Sequence, residues 1–135
     1  MLQTTLSVTA VLFSALLFGG MTLFAFGFAA FLFSAVPVAE ARLLIRKAFP
    51  HFYLFVIGSA ASAAVLTWSA DVVSAVVLAA IALTTVPARQ MLMPAINAAT
   101  DAGDRRTFGR LHGLSVVITL VHIAAAGAVL ARFVL

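Results

Sequence analysis

Four polar side chains in the last third of the chain carry most of the chemistry on offer. His112, Ser115, Thr119 and His122 follow one another at offsets of 0, +3, +7 and +10 in an otherwise apolar run. At about 100° per residue they share an arc of about 80° on one helix face. Polar groups confined to one face of an apolar span require a protein neighbour or trapped water rather than lipid. An imidazole in such a stripe can exchange a proton, hold a metal or ligate haem iron. A b-type haem needs two histidines at matched depth on different helices; His51 can approach the depth of His112, but nothing evident faces His122. Met91 next to His112 suggests a thioether ligand for Cu(I). Met91 and Met93, two residues apart, point about 200° from one another on a helix, so only one could join a site. The simpler assignments are a neutral histidine sharing hydrogen bonds with Ser115, Thr119 or a helix carbonyl, and methionine as packing. No cofactor is therefore predicted, with His51, His112, His122 and Met91 the only candidate metal or haem ligands.

No nucleophile–base–acid set, phosphate-binding loop or carboxylate dyad is present, and the chain has no cysteine. No catalytic residue is assigned, and the reading leans away from an enzyme. The candidate polar site is instead Asn97, Asp101, Arg110, His112 and Ser115, where the third and fourth helices reach the cytoplasmic surface.

The elements that position these residues follow from composition. Of 135 residues 64% are apolar and 9% charged, against about 25% charged in a soluble domain. With a mean hydropathy of +1.21, the chain cannot cover a water-exposed globule. Its apolar runs are continuous rather than alternating, which excludes a β-barrel. About 20 helical residues cross a bilayer, so the expected fold is all-α, a single domain of four transmembrane helices over residues 4–36, 51–69, 72–100 and 104–133. The first apolar run far exceeds a secretory signal and is expected to be a retained span. Pro37 ends it. Residues 38–47 form a short amphipathic segment, and Pro50 suits the first turn of the second helix. The turn around Ser69–Asp71 makes a hairpin of helices 2 and 3, while Pro87 and Pro94 kink helix 3 and its cytoplasmic extension. Gly103 and Asp104 read as a C-cap and an N-cap.

Charge orients the bundle. Arg42, Arg46, Lys47, Arg89, Arg105, Arg106 and Arg110 lie in or beside the loops after helices 1 and 3, and only Arg132 lies at the other end. That asymmetry places both termini outside the cytoplasm. It also accounts for the net charge of +4 without nucleic acid. Arg42, Arg46, Lys47, Arg105 and Arg106 are expected to face anionic lipid headgroups, and Asp101 or Asp104 to pair with Arg105, Arg106 or Arg110. Small residues mark helix contacts: Gly19, Gly20, the pair Gly58 and Ser62, and the pair Gly109 and Gly113 flanking His112, the last expected to bury the polar stripe.

Four fragments in order, Phe18-Gly19-Gly20-Met21, Phe49-Pro50-His51-Phe52-Tyr53, Met93-Pro94-Ala95-Ile96-Asn97 with Asp101, and FGRLHGLS from Phe108 to Ser115, resemble the transmembrane-protein-205-like family. The resemblance implies a small membrane protein built around a domain without a settled activity. It points to Pro94, Asn97, Asp101, Phe108, His112 and Ser115 as the positions to test first. Thr119 departs from it, standing where an amide such as Asn is expected in many bacterial relatives.

The expectation is a polytopic protein of the bacterial cytoplasmic (inner) membrane acting as a non-enzymatic interaction or accessory subunit, or as a homo-oligomer, that packs through Gly58 and Ser62 or through Gly19 and Gly20. The alternatives are small-solute, metal-ion or lipid handling at the cytoplasmic ends of helices 3 and 4, and a haem b or quinone redox protein.

Overall fold

The computed structural model describes residues 1–135. It contains four long helices and no strand: α1 Leu2–Ala35, α2 Val38–Thr67, α3 Val72–Asp101 and α4 Arg105–Val134, each long and apolar enough to cross a membrane. The chain is an all-α four-helix bundle and an integral membrane protein. In their most apolar stretches α2 and α3 are 39% buried, against 17% for α1 and 22% for α4. The second and third helices therefore form the centre of the bundle, and the first and fourth leave most of their surface to lipid or to other protein.

The core is a layer of Leu17 and Met21 from α1, Val56, Ala60 and Ala63 from α2, Leu78 and Ile81 from α3, and Ala126 and Val129 from α4. Alanine on α2 allows close approach of its neighbours, which matters in lipid because association depends on packing rather than on transfer from water. Two glycines act as sockets for phenylalanine rings. A Cβ at Gly20 would sit 2.5 Å from two atoms of the Phe55 ring, and one at Gly127 would sit 3.2 Å from Phe18. Gly19, Gly58, Gly109 and Gly113 meet nothing within 4 Å.

Within one chain the small-residue pair on α2 therefore makes no helix contact. Gly58 is exposed and Ser62 only half-buried. The buried face of α2 runs instead through Ser59, Ala60, Ala63 and Ala64. One residue turns a helix by about 100°, so Gly58 and Ser62 flank the contact face that the alanines occupy. Gly19 is likewise exposed within one chain, and its neighbour Gly20 makes the contact.

Two helices contain a widened, π-type turn. In α1 it spans Leu23–Phe28 and presents Phe24, whose ring stacks on Phe52 at a centroid distance of 4.0 Å. In α3 it spans Ala88–Leu92, with Met93 N–H donating to the Ala88 carbonyl. This turn lies between Pro87 and Pro94, where two missing N–H groups already interrupt the ladder. Met91 is exposed and Met93 buried across it, so the two methionines do point apart, although Met93 joins Ile96 and Ala99 on the buried side rather than Asn97 and Asp101 on the polar one.

The amphipathic segment is not separate from the second span. Residues 38–67 form one continuous helix with Pro50 in its interior. The proline removes one N–H, and two contacts across the bundle hold the interrupted region: Arg89 Nε donates to the Pro50 carbonyl at 3.4 Å, and Arg46, one turn earlier, clasps Asp101 on α3. Elsewhere the connections are short. Val36 is extended before Pro37, as sterics with the proline ring require. After α3, Gly103 adopts φ +67, and the N–H groups of Asp104 and Gly103 donate to the Ala99 and Thr100 carbonyls. That is a Schellman ending, which favours glycine at the left-handed position. Asp104 then caps α4 by accepting the Thr107 N–H at 3.0 Å.

Candidate functional site

The polar stripe of α4 divides. Ser115 is buried, and Thr119 and His122 are half-buried, all facing the bundle. His112 is exposed and stacks on Phe108 of its own helix at 5.3 Å. The glycines on either side, Gly109 and Gly113, are likewise exposed, so within one chain they do not bury the stripe. The cause is the position of α4 at the edge of the bundle. Only a narrow arc of that helix faces its neighbours, and His112 lies beyond it.

Facing Ser115, Thr119 and His122 are side chains that periodicity on α4 could not identify. Tyr53 on α2 is 5% exposed and lines the same space as Ser115. On α3, Thr84 Oγ1 lies 2.9 Å from His122 Nε2, and Thr85 is buried one residue further on. Tyr53, Thr85, Ser115, Thr119 and His122 border a cavity of about 10 Å³ that Met21, Phe52 and Val56, among others, line with apolar surface. The widened turn of α3 contributes Ala88 and Leu92 to the same lining. The threonines are committed to their helices: Thr84 Oγ1 donates to the Ala80 carbonyl at 2.6 Å, Thr85 Oγ1 to Ile81 at 2.7 Å and Thr119 Oγ1 to Ser115 at 3.0 Å. Thr84 and His122 thus share one hydrogen bond through Nε2, and Nδ1 has no protein partner.

The other sequence candidates lie elsewhere. Asp101 is bound by Arg46 of α2 through two hydrogen bonds of 2.7 and 2.8 Å, not by Arg105, Arg106 or Arg110. Asn97 is half-buried and Arg110 exposed. Arg42, Lys47, Arg105 and Arg106 are exposed, as is His51. No three histidine, aspartate or glutamate side chains converge.

At the opposite end a second cluster forms that the sequence reading missed. Asp71 caps α3, accepting from the Val73 and Ser74 N–H groups at 3.1 and 3.2 Å and from the Ser74 hydroxyl at 2.6 Å. Arg132, near the end of α4, donates to both carboxylate oxygens at 3.1 Å and to Ser74 Oγ at 3.2 Å. Arg132 first, and Ser74 after it, hold the Asp71 carboxyl well below the usual carboxylate range. Hydrogen bonds from Thr107, side chain then backbone, lower that of Asp104. The signal was Arg132 as the lone cation of its end, for which Asp71 is the lone anion.

The family model of a domain of unknown function, DUF4149, matches residues 12–105. No curated protein and no solved structure matches the chain. The match spans well over half of the sequence, including α2, α3 and most of α1, and the chain belongs to the DUF4149 family.

Proposed function

Taking the chain as a member of this family of unknown activity, we propose that it is a non-enzymatic membrane subunit that assembles laterally, as a homo-oligomer or in a larger complex, through the outward face of α4. The observation that carries this reading is the exposure of Gly109, His112 and Gly113 together, on an outer helix whose apolar stretch is only 22% buried. Small residues at i and i+4 let a second helix approach closely, and an imidazole between them gives that helix a hydrogen-bonding partner. The seven-to-one distribution of basic residues supports both termini outside the cytoplasm and the basic end against anionic headgroups, about 1 kcal/mol per exposed charge. A bacterial cytoplasmic membrane suits that arrangement. Kinship with the transmembrane-protein-205-like proteins is supported by the fragments around Gly19, Pro50, Pro94 and His112, of which FGRLHGLS lies beyond the family match.

The test is native mass spectrometry of the full chain in mild detergent. The expected result is an oligomer, or a complex with a co-purifying subunit, that Gly113→Ile converts to monomer with unchanged helix content. A wild-type chain that remains monomeric and without partner at low detergent would end this proposal.

A further inference from the structure

The cavity between α2, α3 and α4 is lined by more hydrogen-bonding capacity than its protein contacts use. Thr85 and Thr119 have each given their hydroxyl proton to a carbonyl of their own helix, so toward the cavity their oxygens can only accept. His122 has one nitrogen engaged with Thr84 and no protein partner for the other. Tyr53 and Ser115 are the two lining groups with hydroxyl protons still available, and they are 5% and 7% exposed. Within a mostly apolar lining, these few acceptors and donors border a space of about 10 Å³, the smallest that holds one water.

We infer that this cavity is a binding site for a single water molecule, which links Tyr53 on α2 to the α4 residues Ser115, Thr119 and His122. The water accepts from Tyr53 or Ser115 and donates to two of the remaining acceptors, within the two to four bonds that buried waters make. The site joins three helices at the level of the α3 widened turn, where Ala88 and Leu92 line it. The site rests on the interior packing alone and is independent of what covers the outer face of α4.

The experiment is water-edited solid-state NMR on the full chain in lipid bilayers, with magnetisation transferred from water to side-chain carbons and nitrogens. Tyr53, Ser115 and His122 are expected to receive it several-fold faster than Leu78 and Val129, which are buried in the core nearby. Ser115→Val, which replaces the hydroxyl with methyl groups, is expected to bring His122 down to the rate of Leu78. Transfer to Tyr53 and Ser115 no faster than to Leu78 would overturn the inference. So would undiminished transfer to His122 in a Ser115→Val protein whose helix content matches the wild type.

Discussion

The two ends of the bundle are each closed by an arginine on an aspartate, and they differ in what else depends on the carboxylate. At the end with the basic loops, Arg46 and Asp101 make the shorter contact, 2.7 Å, yet their side chains are 42% and 60% exposed. At the opposite end, Arg132 reaches Asp71 at 3.1 Å, and the Asp71 side chain is only 23% exposed. Asp71 also starts α3 and takes the Ser74 hydroxyl, so one carboxylate joins a helix terminus, the α2–α3 turn and the last turn of α4. Asp101 joins two helix surfaces and nothing else. The basic end keeps the whole net charge of the protein, and the other end is neutral, its single cation matched by its single anion. Contact distance is therefore a poor guide to which pair matters: an exposed ion pair contributes little, whereas a carboxylate that also caps a helix cannot be replaced by solvent without leaving backbone donors unpaired.

The largest expected effect comes from removing the carboxylates one at a time. Asp71→Ala loses the cap, the Ser74 hydroxyl bond and Arg132 together, and is expected to lower the Tm by roughly twice as much as Asp101→Ala. Trp68, the only tryptophan, lies three residues before Asp71 and reports that end by fluorescence, while circular dichroism follows the whole bundle. Asp71→Ala should release Trp68 fluorescence ahead of the helical transition, whereas Asp101→Ala leaves the two coincident. Equal Tm losses would show that both pairs act only as exposed ion pairs.

Acid distinguishes the ends by a smaller margin. The ordinary aspartate pKa is about 3.9, and that of Asp71 lies well below it in the folded protein. A depressed carboxylate contributes stability that is fully present above the unfolded pKa and is lost as pH falls through the folded one. Thermal melts are thus expected to show no contribution from Asp71 to pH dependence between pH 7 and 5, and a decline below about pH 4. Asp71→Asn should flatten that decline in part, the remainder belonging to Asp101 and Asp104 at the other end, lowered by Arg46 and through Thr107 respectively. A slope that disappears with Asp71→Asn but lies between pH 7 and 5 would contradict the assignment.

How much of this was legible beforehand depended on whether a feature is local. The four spans, the Gly103–Asp104 cap pair and the opposed methionines follow from periodicity and turn chemistry within a few residues. The continuity of α2 through Pro50 did not, because the contacts that sustain it come from Arg89 and Asp101, 39 and 55 residues away from the atoms they hold. The stripe on α4 was read correctly as a face, but its membership depends on how wide an arc the neighbouring helices cover, which excludes His112 and admits Tyr53 and Thr84 from other helices. On α2 the run of small residues marked a contact helix, yet spacing alone could not decide between Gly58 with Ser62 and the adjacent Ser59 with Ala63. Gly20 was identifiable as a contact residue from its neighbours in sequence, whereas the socket at Gly127 is visible only once Phe18 is placed against it.

The smallest effect is the most specific to the contrast between the ends. Salt screens exposed charges and leaves short hydrogen bonds to backbone donors nearly untouched, the Debye length falling from about 10 Å at 0.1 M to about 3 Å at 1 M. At the basic end two screened terms oppose one another: attraction between Arg46 and Asp101, and repulsion among Arg42, Lys47, Arg105, Arg106 and Arg110. The Tm of the wild type alone therefore says little, and the useful quantity is the gap between wild type and variant. For Asp101→Ala the gap is expected to narrow as salt rises, because the lost attraction is screened in the wild type as well. For Asp71→Ala it is expected to hold, since the Val73 and Ser74 N–H groups lose the same acceptor at any ionic strength. A gap that closes equally for both would mean that the cap at Asp71 contributes nothing beyond its charge, and that the two ends are held in the same way.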